Sequence, residues 1–477
     1  MWHKIDKNLK NLIFVAGVII FCIVFSNIIF LFSWNALILI PILVIGFLLI
    51  YYFTKDPFIG LIFIIFFLPF ERIPSFDAGF ATLKINQFLG GILIFAWILS
   101  KLYNKKKFSP NALVWPLVLF LLTGFVSVMY SLYFSRALMV FIFILFTVSL
   151  FFITVDLINS KEKLKIISKV LLYSSLIVCG FSIFQFIGDS VGLPITITGM
   201  NKGFTKVIMG FPRVHAFSYE PLYLANYLFI PLGVFTGLFF EKVDFIKRHY
   251  LIATIALIIL IMILTVSRGA YLGLIAFGLV FAFFEAKKVF SIKYIITAIA
   301  ILFIAFYGSI SFMKYATPIA YDRFVSHATL EDYGKGESTE SRMKAWQDAF
   351  DAYSEKPYTG VGLGNFGPWL AGYPNPETVE NWKIVNNEYM EILAETGIFG
   401  FISFIIFLLI IIIRSFIAYF KVKDPLLRAF LVGLLASTIA VLVQYNFFST
   451  LYIVHIWVLF GLLVAVQNLI FIEKNKG

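Results

Sequence analysis

Gly397–Ile413 reads GIFGFISFIIFLLIIII, an unbroken run without a single charge. As a helix rising about 1.5 Å per residue it covers roughly 25 Å, close to the hydrocarbon thickness of a bilayer. Directly before it lies sequence of the opposite kind: Lys314–Glu388 holds 18 of the chain's 64 charged residues in 75 positions. Elsewhere the chain alternates further apolar runs, such as Ile292–Met313, with short polar turns. Backbone groups in lipid must be paired within their own segment, so such runs form helices. At 61% hydrophobic and 13% charged residues, the composition excludes a soluble domain. The expected fold is an all-α integral membrane protein of about 14 (12–14) transmembrane helices with one large extracytoplasmic helical loop.

Fourteen spans can be marked, from about 11–33 to 449–471, which places both termini on one side. The first run is too long for a signal-peptide core and is expected to be a retained helix. Lys and Arg test the count, because cytoplasmic loops carry their excess. The terminal side collects 24 of the 38 Lys and Arg but only 9 of the 26 acidic residues, giving net charges of +15 and −3. The positive side is therefore read as cytoplasmic, and Lys314–Glu388 as outward. The +12 total belongs to this asymmetry, and no nucleic-acid partner is expected. Cys22 and Cys179 both lie in apolar runs, which argues against a disulfide framework. The organisation expected is N-terminal helices (1–187), an outward loop (188–220), central helices (221–313), the large outward loop (314–388) and C-terminal helices (389–477).

The large loop carries signs of order. Ser338 and Thr339 can cap a helix. Met343, Trp346, Phe350 and Tyr353 follow at helical spacing as an apolar stripe, with Arg342 at its edge, and Pro357 ends the pattern. TGVGLGNF (Thr359–Phe366) offers three glycines for close approach or positive φ. A second helix is expected from about Asn387 to Gly397.

Four outward arginines are candidates for chemistry: Arg213, Arg268, Arg323 and Arg342. Arg268 is the lone charge between two apolar spans, a costly and usually functional placement. Glu220 stands before Pro221 at a helix entry. It reads either as a carboxylate favoured by the helix dipole or as a base at the membrane boundary. His215 and His327 are isolated, and no metal-ligand spacing, P-loop or GxSxG is present, so neither metal nor cofactor is expected. Several arginines at a membrane face suit a lipid-linked diphosphate, whose oxygens accept bidentate guanidinium hydrogen bonds.

SRGAYLG (Ser267–Gly273), Ser341-Arg342 with Trp346, PYTGVGLGNF (Pro357–Phe366) and NNEYMEILAETGIFG (Asn386–Gly400) together resemble the O-antigen ligase/polymerase superfamily, which includes Wzy-type polysaccharide polymerases. The resemblance covers about 190 residues from Arg213 onward. It implies a metal-independent glycosyltransferase acting on undecaprenyl diphosphate-linked oligosaccharide at the outer side of the bacterial cytoplasmic (inner) membrane. By carry-over, Arg213, Arg268 and Arg342 would bind the diphosphate, while Asn387, Glu388 and Arg323 would belong to the loop and acceptor region. Ligases of the family commonly show His-Asn where this chain has Asn386-Asn387, a departure that favours a polymerase. Glu220 is then the first candidate base, His215 the second and Glu388 the third. A chain-length regulator is a candidate partner beside the lipid bilayer. Two other readings stay open: a ligase transferring glycan to lipid A core, protein or wall polymer, and a flippase of lipid-linked oligosaccharide.

Overall fold

The computed structural model describes residues 39–72, 75–77, 82–104, 113–316, 337–374, 382–449 and 451–474. The expected first span, Arg323 and His327 lie outside the described residues. The chain is all-α, and in order its main helices are α1 (Leu39–Lys55), α2 (Pro57–Phe67), α3 (Ile85–Asn104), α4 (Val114–Met129), α5 (Phe134–Leu157), α6 (Lys161–Ser190), α7 (Pro221–Phe240), α8 (Arg248–Leu264), α9 (Arg268–Phe284), α10 (Ile292–Ala316), α11 (Glu337–Glu355), α12 (Glu388–Tyr419), α13 (Pro425–Gln444) and α14 (Val454–Lys474). By length and composition, 7 of the described helices can cross a bilayer, and shorter apolar helices accompany them. One small antiparallel pair, Ser75–Asp77 with Thr82–Lys84, departs from the helical pattern between α2 and α3.

The centre of the bundle is built on close backbone approach. A Cβ added at Gly237 of α7 would lie 2.1 Å from the Ala429 carbonyl of α13, and one at Gly233 would lie 2.2 Å from that of Gly433. The hydroxyl of Ser437 donates to the Phe229 carbonyl at 2.5 Å across the same seam. Small residues substitute here for the hydrophobic drive that is missing between helices in lipid.

The connections between helices form two groups, each held together by its own contacts. At one end, Lys101 pairs with Asp156, Lys161 with both Asp424 and Glu473, and Lys288 and Arg428 with both Glu241 and Glu285. These ion pairs tie together the turns assigned to the basic side. At the other end, Arg72 N–H donates to Phe217 O, Val214 N–H to Leu264 O, Leu132 N–H to Val361 O and Glu388 N–H to Tyr445 O. Every turn expected on the outward side and described at this end therefore touches another one.

The large loop is folded, with one correction to its expected packing. The buried face of α11 is Ala349 and Ala352, with Ala345 and Arg342 half-buried one and two turns earlier, and Met343, Trp346 and Phe350 are exposed. Ala349 and Ala352 pack with Val361, Phe366, Val385 and Ala394. Small side chains let α11 lie close to the start of α12, which turns the larger ones outward. Ser338 and Thr339 fall inside α11, since the helix already begins at Glu337.

Candidate functional site

Arg213 leaves the loop before α7 and is half-buried. Its backbone N–H donates to Phe204 O at 2.9 Å and its Nε to Thr265 O at 3.2 Å, which fixes the guanidinium over the C-terminal end of α8. Burial lowers its pKa from the ordinary value. Tyr271 and Glu220 oppose that, and Arg268 and Arg342 add to it. An arginine stays charged under such shifts, so the neighbours matter more than the shift. They show that Arg268, the first residue of α9, and Arg342, on the inner seam of α11, reach the same place. Arg342 also lies 5.8 Å from the centroid of the Phe447 ring, in the turn between α13 and α14. Arg213, the cation that acts on Glu220, thus has two further arginines in its electrostatic surroundings.

Glu220 is the N-cap residue of α7 by backbone geometry, yet its side chain makes no cap hydrogen bond. The carboxyl instead lines a recess of about 380 Å³ shared with Glu71, Lys84 and Tyr452. Although its tip reaches this open recess, the protein packed around it raises the Glu220 pKa above the ordinary value by desolvation, against the pull of Arg213. A carboxyl shifted this way holds and releases protons nearer neutral pH.

His215 is fully buried, and both ring nitrogens are engaged by backbone. Nε2 accepts from Asn201 N–H at 2.9 Å, and Nδ1 lies 3.0 Å from the Ser218 carbonyl, to which it donates. Burial, with the charge of Arg72, lowers its pKa to about 4. The neutral ring holds the 199–218 segment together and has no free nitrogen to offer a substrate.

Asn387 caps α12, its Oδ1 accepting from Met390 N–H at 3.1 Å, while its own N–H donates to Ser449 Oγ at 2.9 Å. Glu388 is buried, and its N–H donates to Tyr445 O at 2.8 Å. These two residues fasten the loop to the turn after α13. Asn386, just before them, has φ of 56°, a left-handed conformation that Asn tolerates well.

The glycine-rich turn is already filled. Its amides at Gly364 and Phe366 donate to the Glu395 carboxylate at 2.7 and 3.1 Å. Val361 and Gly362 N–H donate to the carbonyls of Ala394 and Glu395. Gly360 has φ of 68°, and a Cβ there would lie 2.2 Å from the Glu395 carbonyl carbon. Gly397, φ 67°, breaks α12 where the Pro357 carbonyl accepts from Ile398 N–H. A nest that could cradle a phosphate is thus occupied by the protein's own carboxylate, and its role is to lock the loop onto α12.

Sequence reasoning missed Glu71, Lys84, Tyr271 and the turn after α13. Tyr271 sits inside the SRGAYLG motif and could have been singled out. Residues 445–449 carry no charge, and Glu71 carries no local motif, so neither had a signal.

Residues 253–405 match the family model described as O-antigen ligase (Wzy_C). An uncharacterized protein of Haemophilus influenzae (strain ATCC 51907 / DSM 11121 / KW20 / Rd) is 29% identical over 177 residues, covering 35% of this chain and 44% of that protein. The chain thus matches less than half of the length of that relative. No solved structure matches.

Proposed function

From the premise that the chain belongs to the O-antigen ligase/polymerase superfamily, we propose that it is a polysaccharide polymerase. It transfers a growing glycan from undecaprenyl diphosphate to the sugar of a new lipid-linked repeat unit. The observation that carries this reading is that Arg268 and Arg342 lie in the electrostatic surroundings of Arg213, whose neighbour Glu220 lines a recess.

In this reaction a hydroxyl oxygen of the acceptor sugar bonds to the anomeric carbon of the donor. The bond from that carbon to the diphosphate oxygen breaks, and its electron pair leaves with the diphosphate. The three guanidinium groups neutralise the charge gained by the leaving group, the form of stabilisation that lowers such barriers most. The hydroxyl proton passes to Glu220, the base of the reaction, which Arg213 keeps within reach of the ionised form. His215, with both nitrogens bound to backbone, positions the loop that carries Arg213. Asn387 and Glu388 hold α11, and with it Arg342, over the site. The site faces the outer side of a bacterial cytoplasmic membrane, and the basic end of the bundle faces the cytoplasm. Asn386-Asn387, where ligases show His-Asn, supports polymerase over ligase.

Purified protein given lipid-linked repeat units should produce a ladder of longer glycans. Transfer of single units only, to a different acceptor, would refute polymerisation. In cells, Arg268→Ala should abolish polymer while lipid-linked units still reach the outer face. Accumulation of units inside would favour a flippase.

A further inference from the structure

The recess beside Glu220 holds a second carboxylate that the proposed reaction leaves unused. Glu71 lies between α2 and the small antiparallel pair, and its Oε1 is 3.0 Å from Nδ1 of His455. The other ring nitrogen, Nε2, lies 2.7 Å from Asn226 Oδ1, and Asn226 Nδ2 donates to Gln444 Oε1 at 2.7 Å. His455, Asn226 and Gln444 are all fully or almost fully buried. With the Asn226 oxygen facing Nε2, that nitrogen carries a proton, and Nδ1 stands against Glu71 Oε1 without a hydrogen bond. The contact sets Glu71 Oε1 against His455, and Glu71 lines the recess with both carboxyl oxygens buried.

A second buried group points the same way. Asn86, at the start of α3, is 4% exposed and lines the recess, and its Oδ1 has no hydrogen-bond partner. Neither oxygen of the Glu71 carboxyl has one either. A buried acceptor left without a donor costs about 1–3 kcal/mol. Together with Glu220, these oxygens form a set that seeks hydrogen-bond donors.

The remaining walls fit a sugar ring. Tyr219, Tyr223 and Tyr452 line the recess, and the Lys84 ammonium lies 4.4 Å from the centre of the Tyr219 ring. Two carboxylates against one lysine disfavour an anionic ligand, whereas aromatic walls with acceptor oxygens suit a ring rich in hydroxyl donors. A cavity of about 380 Å³ falls within the range of small-ligand sites, roughly 300–1,000 Å³.

We propose that this recess is the acceptor-sugar subsite and takes an uncharged sugar residue. Glu71 Oε2 and Asn86 Oδ1 accept its hydroxyls, and His455 is the positioning residue that holds Glu71. The inference rests on the polymerase reading, since Glu220 then lies between donor diphosphate and acceptor hydroxyl.

The test separates the two substrates. The donor is a lipid-linked repeat unit blocked at its acceptor hydroxyl. The acceptor is a fluorescent repeat-unit glycoside without diphosphate. Glu71→Gln and Asn86→Ala should each raise the acceptor KM about 10–100-fold while donor KM stays within about threefold. His455→Gln should raise the acceptor KM in the same direction. His455→Ala, which cannot hold Glu71, should raise it further. A change in donor KM alone, or no change in either, overturns the inference. If wild-type protein transfers nothing, the polymerase reading fails, and saturation-transfer NMR then decides the subsite on its own. Methyl glucoside and methyl N-acetylglucosaminide should bind wild type and not Glu71→Gln, whereas glucuronate should not bind. Equal binding of these glycosides to both proteins, or preference for glucuronate, rejects it. Monodisperse elution of each variant in detergent shows that it is folded, and a variant that aggregates is replaced by Glu71→Asp, expected to restore part of the affinity.

Discussion

Acidification should loosen the 199–218 segment through one residue, His215. Its pKa is lowered to about 4 from the ordinary 6.5, first by burial and then by the charge of Arg72. A group whose folded pKa is depressed contributes stability that is present above its unfolded value and lost as pH falls. Here that window runs from pH 6.5 down to about 4. Each pH unit inside it costs about 1.4 kcal/mol, so full protonation costs about 3 kcal/mol, and acidification to about pH 5 roughly 2 kcal/mol. The structure supplies the cause: a proton on Nε2 would face the Asn201 N–H that now donates to it at 2.9 Å. Hydrogen exchange read by mass spectrometry, corrected for the intrinsic pH dependence, measures the effect directly. Peptides from 199–218 should lose about 30-fold of their protection between pH 7 and 5, while α7 and α13 keep theirs. His215→Gln should lower protection at neutral pH and abolish the pH slope. Protection of this segment that is independent of pH in the wild type would refute the reasoning.

Glu395→Gln should cost about 1–3 kcal/mol, because one of the two amides at Gly364 and Phe366 loses its carboxyl acceptor and meets an NH₂ group. Thermal unfolding in detergent reads this loss, and an unchanged midpoint would show that the nest does not hold the loop. The rate of glycan transfer should rise with pH through a midpoint above the ordinary value of 4.5, since Glu220 accepts a proton only when ionised and its pKa is raised. Glu220→Gln should lose that limb and about 10²–10⁴ of kcat, whereas an unaltered pH profile would remove Glu220 from the role of base. Gly360→Ala should destabilise by about 2 kcal/mol or more, because a Cβ at φ 68° would press on the Glu395 carbonyl carbon. A variant as stable as the parent in the same thermal assay would count against that packing.

Periodicity and charge made much of the architecture legible, because lipid imposes one rule on every span. α12 follows its cap Asn387 and breaks at Gly397, as that cap and glycine suggest. Packing inside the polar loop was less legible. The apolar spacing of Met343, Trp346 and Phe350 pointed to a buried stripe, yet small residues won the seam because Ala349 and Ala352 permit the closest approach. The glycine turn looked open to a ligand, since nothing in TGVGLGNF reveals that Glu395, far along the chain, fills it. Arg213, Arg268 and Arg342 were each conspicuous as charges beside apolar sequence, and the fold brings them together. Glu71, His455, Asn226 and Gln444 come from four separate helices or turns, and no local pattern could join them.

The most direct measurement is a structure of the protein with a non-transferable lipid diphosphate-sugar analogue. The account predicts both phosphates within hydrogen-bond distance of Arg213, Arg268 and Arg342, with the anomeric carbon turned towards Glu220. Phosphates bound instead at the opposite end, among Lys288 and Arg428, would contradict it.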